Sequence, residues 1–467
     1  MYQNQSHIVS PRVGFAWTPD VFKGKTVIRG AFGVFVAPVT IANLAITGTY
    51  STNPQINQQG FSQSTTVPAP SATLLNPSQA QNSLSNPFPN GFTRPAGSSA
   101  GLATFAGQAI SFLDPDVRNP YSMRWNFDIQ HALSPNTMLE VLYIGNHSLH
   151  LPVAVTQLNG MPQSYLSTLG VRDPAQTYLA SPAVANPFSG LATSQNAATT
   201  TVAQLLARYP EFPVGDSASG WNGSSGVLEQ NLNVGSAYFH SLNVRLQKRV
   251  SGGLNLTVNY IRSRLIEDDS WLNSSDPRPE KRVSPTDRPN RFVAAATYAL
   301  PVGQGQLLHF RSHLANTLVG DWVLTTMYQY QTGGPLTFLN GSSTSPGDYV
   351  YFGAPLNLNN RQVNGTAFDT TAFDTKAADA FNYHLSTFPT TFDNLRSDGI
   401  NQLDASVLKR FALGENRRFE LRFEAYNLPN HPVFAAPNTQ ANASGFGTIT
   451  ATANRFRTMQ AIARIYF

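Results

Sequence analysis

The sequence predicts an all-β fold, an antiparallel up-and-down transmembrane β-barrel, and three observations carry that prediction. The first is strict alternation. In Phe419-Glu-Leu-Arg-Phe-Glu-Ala-Tyr426, residues Phe419, Leu421, Phe423 and Ala425 fall on one face, and Glu420, Arg422, Glu424 and Tyr426 on the other. Strand side chains alternate sides with a period of two, so one face is greasy and the other charged. A strand with lipid on one side and a wet lumen on the other needs that pattern. The second is an asymmetry of connections, short ones at 18–25, 134–136, 251–253, 301–320 and 413–416 against long ones at 37–120, 147–237, 267–290, 332–400 and 429–455. Barrels of this class put short turns on the periplasmic side and long loops outside, whereas a compact domain has no use for structureless loops of that length. The third is composition: 12% of the 467 residues are charged, against about 25% in soluble domains.

In chain order, Val13, Phe15 and Trp17 alternate with Arg12, Gly14 and Ala16 in a first strand. Pro19-Asp20 and Lys23-Gly24-Lys25 break the chain before a strand over Thr26–Val36. Ala37 to Pro120 is rich in Asn, Gln, Ser, Pro and Gly and has little periodicity. Tyr121, Met123, Trp125, Phe127 and Ile129 then oppose Ser122, Arg124, Asn126, Asp128 and Gln130. A tight Ser134-Pro135-Asn136 turn leads to a strand over Thr137–Asn146, and a long loop follows from His147 to Ala237.

Leu242, Val244 and Leu246 oppose Asn243, Arg245, Gln247 and Arg249. Ser251-Gly252-Gly253 turns the chain into Leu254, Leu256, Val258 and Tyr260. A charged loop, Glu267 to Asn290, precedes the strand Arg291–Leu300, and Pro301–Gly320 has room for one helical turn. Strands over Asp321–Gln331 and Asn401–Phe411 flank the loop Thr332–Ile400. The chain ends in Met459-Gln-Ala-Ile-Ala-Arg-Ile-Tyr-Phe467, where Met459, Ala461, Ala463, Ile465 and Phe467 share a face. Eleven strands result, with aromatic residues such as Trp17, Tyr121, Tyr260, Tyr330 and Tyr466 at strand ends, where an interfacial girdle requires amphipathic rings. Single-chain bacterial barrels have even strand numbers, so an odd count is what a barrel divided in mid-chain would give.

The net charge of +5 is spread thinly, without a Lys/Arg run suited to phosphates, and this argues against nucleic acid as a partner. The absence of cysteine rules out disulfides and thiolate metal sites. No apolar run approaches the roughly 18 residues of a membrane helix. Met1 to Ser10 is polar and is not a signal peptide.

Several segments resemble the barrel of Oar-like TonB-dependent receptors: Pro11-Arg-Val-Gly-Phe-Ala-Trp17, Asn119-Pro-Tyr-Ser-Met-Arg-Trp-Asn126, Tyr238-Phe-His-Ser-Leu-Asn-Val-Arg-Leu-Gln-Lys-Arg249, Asp287-Arg-Pro-Asn-Arg-Phe292, Asn394-Leu-Arg396, Leu403-Asp-Ala-Ser406 and Asn427-Leu-Pro-Asn-His-Pro-Val-Phe434. The resemblance covers the strands and skips the loop interiors. It implies a 22-stranded barrel in the outer membrane of a Gram-negative-type bacterium. It also implies a plug domain that engages the TonB complex, and uptake of a siderophore, oligosaccharide or peptide. On that reading residues 1–467 are the C-terminal portion of the barrel domain, without plug or signal peptide.

Arg124, Asp128, Arg245, Arg249, Glu420, Arg422 and Glu424 are the lumen-facing candidates, expected to form a salt-bridge ladder against a plug rather than a substrate path. Met459, Ala461, Ala463, Ile465 and Phe467 are the candidate signal for the barrel-assembly machinery. Glu267-Asp268-Asp269 lacks the spacing and glycine of a calcium loop and reads as a solvated loop start. His147 and His150, past a strand end and without a third ligand, read as mouth residues rather than a metal site. Gly333-Gly334 and Gly303-Gln-Gly305 read as turn glycines, and Asn427–Phe434 as a structural loop fixed by its prolines. No Gly-x-Ser-x-Gly elbow or paired carboxylates stand out, so neither enzyme chemistry nor a cofactor is expected. Two other classes fit the same composition: an outer-membrane adhesin or structural protein on the same barrel, and a secreted soluble β protein.

Overall fold

The computed structural model describes residues 9–37 and 101–467, apart from 104, 115, 117, 170–172, 192–196, 216–225, 304–305, 309, 339–349, 354–355, 358–360, 375–382, 386–388, 415–416 and 442. Eleven strands follow one another as antiparallel neighbours in one sheet. They are β1 (Arg12–Trp17), β2 (Thr26–Val36), β3 (Tyr121–Ser134), β4 (Thr137–Gln157), β5 (Val227–Ser251), β6 (Leu254–Asp268), β7 (Asn290–Ala299), β8 (Trp322–Gln331), β9 (Ile400–Ala412), β10 (Arg418–Tyr426) and β11 (Thr458–Tyr466). β1 and β11 are the two ends of this path. Among the described residues no helix is long and apolar enough to cross a membrane.

The register decides which residues share a face, because directly opposed residues point to the same side. Phe32 opposes Trp125, Trp125 opposes Gly145, Tyr143 opposes Leu242, and Val244 opposes Tyr260. Tyr260 and Tyr330 both oppose Phe292, Tyr328 opposes Leu403, Val407 opposes Phe423, and Phe423 opposes Ala461. One apolar face therefore runs unbroken from β1 to β11, and Trp125, Leu256 and Phe423 all lie on it. Phe127, Leu242 and Phe423 are 45%, 42% and 47% exposed, so among the described residues no second layer of protein covers that face. From Tyr121 to Ile129 the apolar side of β3 spans about 27 Å along the strand. At a tilt of about 40° that is roughly 20 Å of the apolar band of about 25 Å. Two aromatic rings lie over glycines on this face, Trp125 on Gly145 and Phe15 on Gly30. The glycines leave the space and the rings cover the bare backbone, as in aromatic rescue.

The connection between β5 and β6 is tight where predicted, with Ser251 opposite Leu254. Gly252 and Gly253 both have positive φ, as a two-residue hairpin turn with primed geometry requires. The 300–321 connection holds a helix, His313–Val319, capped by Ser312, which accepts from the Ala315 N–H.

The long connections depart from the sequence expectation of structureless loops. β4 and β5 continue well past Asn146 and start well before Tyr238, pairing as far as Gln157 with Leu228. Within 37–120, Ile110–Leu113 forms a short strand parallel to the start of β5. The acidic run is not a solvated loop start, since β6 extends through Asp268 and Arg282–Val283 pairs beside it. Two apolar clusters fill the loops. Leu336, Phe338, Leu356, Phe368, Phe373, Phe392, Leu395 and Ile449 join the 332–399 and 427–457 connections. Met161, Leu179, Ala203, Ala207 and Val214 close the 158–226 connection. Each buried Phe contributes about 1.5–3 kcal/mol. The dry core thus sits in the loops, not between sheets.

Candidate functional site

The predicted lumen residues all lie on the polar face, but the fold gathers them into separate groups. On β3 to β5, Gln130 Nε2 donates to Asp128 Oδ2 and to Glu140 Oε1, both at 3.0 Å, and Arg245 pairs with Glu140 at 3.5 Å. On β9 to β11, Arg422 bridges Glu420 at 3.3 Å and Glu424 at 3.5 Å, and Arg410 reaches Glu420 at 3.5 Å. Tyr426 Oη and the Gln460 amide both donate to Glu424. Arg124 joins neither group; its guanidinium lies 5.1 Å from the Phe35 ring centroid, and Arg12 shares the same ring at 4.5 Å. Arg249 stands at the short-turn end, where its backbone N–H donates to the Asn136 carbonyl. Met459, Ala461, Ala463 and Ile465 align on the apolar face opposite Ala425, Phe423, Leu421 and Phe419.

At the other end of the sheet, three polar clips tie the loops to the strands. Asp287, whose side chain is 1% exposed, accepts from the Leu265 N–H at 2.8 Å and from Arg396 Nη2 at 2.8 Å. Arg396 also pairs with Asp393 at 2.6 Å and donates to the Gly333 and Asp287 carbonyls. Arg264 grips Asp393 with both terminal nitrogens, at 2.7 and 2.6 Å. That bidentate bond, ahead of the weaker help from Arg396, holds the Asp393 carboxyl below its ordinary range against the opposing pull of burial.

The second clip joins Arg282 to Asp269 at 2.9 Å and to Glu267 at 3.5 Å, while Glu280 accepts from the Thr390 N–H and hydroxyl. In the third, Asp404 takes the Asn427 N–H at 2.8 Å. The Asn427 amide in turn donates to the carbonyls of His431 and Arg455. Asn427–Phe434 is therefore a structural loop held by Asn427 as well as by its prolines.

Three smaller readings change. Gly333 and Gly334 are not turn glycines: a Cβ on Gly333 would strike the Ser397 carbonyl, and one on Gly334 the Arg288 guanidinium. They let the chain pass close against the Ser397 backbone and the Arg288 guanidinium. His147 and His150 lie inside β4, not beyond a strand end; His147 stacks on Tyr238 with centroids 3.9 Å apart, and His150 takes φ 56° at a register shift. Glu267 and Asp269 are ion-paired, and among the described residues no three His, Asp or Glu side chains converge on one point.

Beside the first clip, the ends of β8 and β9 and the two neighbouring loops enclose a half-open cleft of about 410 Å³. Tyr330, Gln331, Arg361, Asn394, Asp398 and His431 line it. Arg361 lies 3.0 Å from Asp398, whose second oxygen accepts the Phe434 N–H at 3.1 Å. The sequence singled out neither the cleft nor the Arg264–Asp393 and Arg396–Asp287 pairs. The segments Asp287–Phe292 and Asn394–Arg396 were the one available signal.

The chain resembles solved outer-membrane proteins at low identity. The outer membrane transporter YddB from Escherichia coli is 9% identical with a TM-score of 0.41, the alignment covering 99% of this chain and 41% of that one. The ferric-catecholate import receptor Fiu from E. coli K12 is 9% identical, with a TM-score of 0.37 and coverage of 97% and 34%. The ferripyoverdine receptor of Pseudomonas aeruginosa is 7% identical, with a TM-score of 0.38 and coverage of 98% and 33%. The chain thus spans between a third and about two-fifths of their lengths. No curated protein matches it. The family described as "Outer membrane beta barrel domain" matches residues 1–460. That match covers nearly all of a meander whose one continuous face is apolar and bare, and the chain belongs to the outer membrane β-barrel domain family, its place the outer membrane of a Gram-negative bacterium.

Proposed function

We propose that this chain is the C-terminal portion of a TonB-dependent outer-membrane transporter, which takes up its substrate at the outer loops and draws energy from the TonB complex through a plug domain. The observation that carries the reading is the sorting of side chains by register: one face is bare and apolar, the other holds the Asp128–Glu140–Arg245 and Glu420–Arg422–Glu424 groups. In the membrane the first face meets lipid and the second a wet lumen.

Strand parity supports the same reading. In an eleven-strand meander the two edge strands run in the same direction, so they cannot pair antiparallel with each other. Counted over the described residues, eleven further strands would give the 22 that the family resemblance implies. Met459, Ala461, Ala463, Ile465 and Phe467 then form the lipid-facing end of the last strand, the part offered to the barrel-assembly machinery.

The test is uptake by cells carrying the full-length gene. Accumulation of labelled substrate that stops when TonB is deleted, or the proton gradient collapsed, supports transport. Surface binding that is unaffected by either would show an adhesin or structural protein on the same barrel instead.

A further inference from the structure

We propose that the helix in the 300–321 connection lies in the phospholipid leaflet on the periplasmic side, an anchor clamped to the barrel wall by Trp322 and Lys409. The inference needs only the outer-membrane barrel, and holds whether or not the protein transports. It starts from a lysine on the apolar face. Lys409 opposes Trp322 and Leu421, and Leu421 opposes Ala463, so the register turns Lys409 to the same side as Val407 and Phe423. An ammonium facing hydrocarbon is costly unless it reaches the interface or a polar partner. Lys409 is 1% exposed. Its Nζ donates to the Gly320 carbonyl, just past the helix His313–Val319, and lies 5.8 and 5.1 Å from the ring centroids of Trp322 and Phe411. Trp322, on the same face, donates its indole N–H to the Leu318 carbonyl at 3.2 Å. Two side chains of the barrel wall thus take carbonyls that the end of a helix leaves without partners of its own.

The rest of this connection carries apolar side chains that the protein leaves bare. Leu307, Leu308, Phe310, Leu314, Leu318 and Val319 are all exposed, Leu314 by 68%. Leu314 and Leu318 are one turn apart and share a side of the helix. Phe310 is fixed to that helix, because Asn316 Oδ1 accepts its N–H at 2.7 Å and Asn316 Nδ2 donates to its carbonyl at 2.5 Å. Single exposed apolar residues need no explanation, but a set gathered in one connection marks a contact surface. The clamp identifies the occupant. Trp322 and Lys409 stand on the face that meets lipid, at its short-turn end, where an indole prefers the headgroup layer. They draw the end of the helix up to that face rather than leaving it below the strand ends, so the exposed side chains continue the lipid-facing surface. An amphipathic helix at this level buries its apolar side about 5–10 Å into the boundary of headgroups and acyl chains. Arg311, the one charged residue between Pro301 and Gly320, is exposed beside Phe310 and is placed to meet lipid phosphates.

The experiment uses the full-length protein reconstituted into vesicles of phosphatidylethanolamine and phosphatidylglycerol, with iodide on both sides of the bilayer. A bimane label is placed on Leu314→Cys or, as the aqueous reference, on Asn136→Cys in the exposed turn between β3 and β4, each on a background without other thiols. Iodide is expected to quench the label at 314 about fivefold less than the label at 136, and phospholipid brominated near its glycerol end to quench the label at 314 alone. Lys409→Met makes the wall more apolar yet removes the clamp, so iodide quenching at 314 should rise about threefold with heat-modifiable gel migration unchanged. Trp322→Phe keeps a ring and loses only the N–H to Leu318, and should shift quenching in the same direction. Equal iodide quenching at 314 and 136 would overturn the proposal. Protection at 314 without quenching by brominated lipid, the sign of a protein cover, would also overturn it. So would protection that fades as the protein is diluted in lipid, the sign of a second copy, or protection unmoved by both clamp variants.

Discussion

Replacing Arg396 with Met tests how the outer loops are fastened to the barrel. The Asp287 carboxylate is 1% exposed, and in Arg396→Met it would retain the Leu265 N–H and an Arg264 guanidinium at 3.9 Å. Removing one member of a buried ion pair costs about 3–5 kcal/mol, because the remaining charge is stranded out of water. The surviving partners place this case near the lower end, about 3 kcal/mol. If that cost falls on local opening of Thr391–Arg396, the open population rises about a hundredfold, at 1.36 kcal/mol per decade. Hydrogen exchange followed by mass spectrometry on peptides spanning 390–397 reads this directly in the detergent-solubilised protein. An increase of less than about threefold in Arg396→Met would refute the clip as the fastening, because burial of Phe392 and Leu395 would then suffice alone.

Three further outcomes follow from the same geometry. Val258→Arg, in the middle of the apolar face, should cost about 2–4 kcal/mol and lower the amount of protein reaching the outer membrane, while Thr257→Arg on the polar face is tolerated; equal effects would contradict the assignment of faces. Asp393 has a folded pKa below its unfolded value of about 3.9, so its contribution is complete above that value and is lost as pH falls through the lower folded one. Exchange protection at 390–397 should therefore stay flat from pH 7 to about 4 and decline only below it, and Asp393→Asn should abolish that decline. Deleting Phe467 should slow insertion by the assembly machinery without changing strand pairing, which pulse-chase membrane fractionation would detect; unaltered insertion would remove this residue from the signal.

Much of the sheet was legible because every neighbour in it is also a neighbour in sequence. Val407 and Phe423 share a face across a hairpin, so local alternation and a short turn suffice to place both. The polar-face candidates were legible as a face for the same reason. Their grouping was not: Arg245 finds Glu140 only because β4 and β5 meet across a long connection, and Arg124 spends its charge on the Phe35 ring. The loops were the least legible. Phe338, Phe368, Phe373 and Phe392 carry no period of two or 3.6, so nothing local marks them as a core.

The sequence by itself determined the order of the eleven strands and the side of each residue in their predicted spans, because a period of two is a property of the backbone and needs no partner. Tertiary structure alone decided how the outer mouth is built. Arg264 and Asp393 are 129 residues apart in sequence, and Arg396 and Asp287 are 109 apart. Their pairing depends on the 332–399 connection folding back over β6 and the 269–289 connection, and no repeat in the sequence records where that connection will lie.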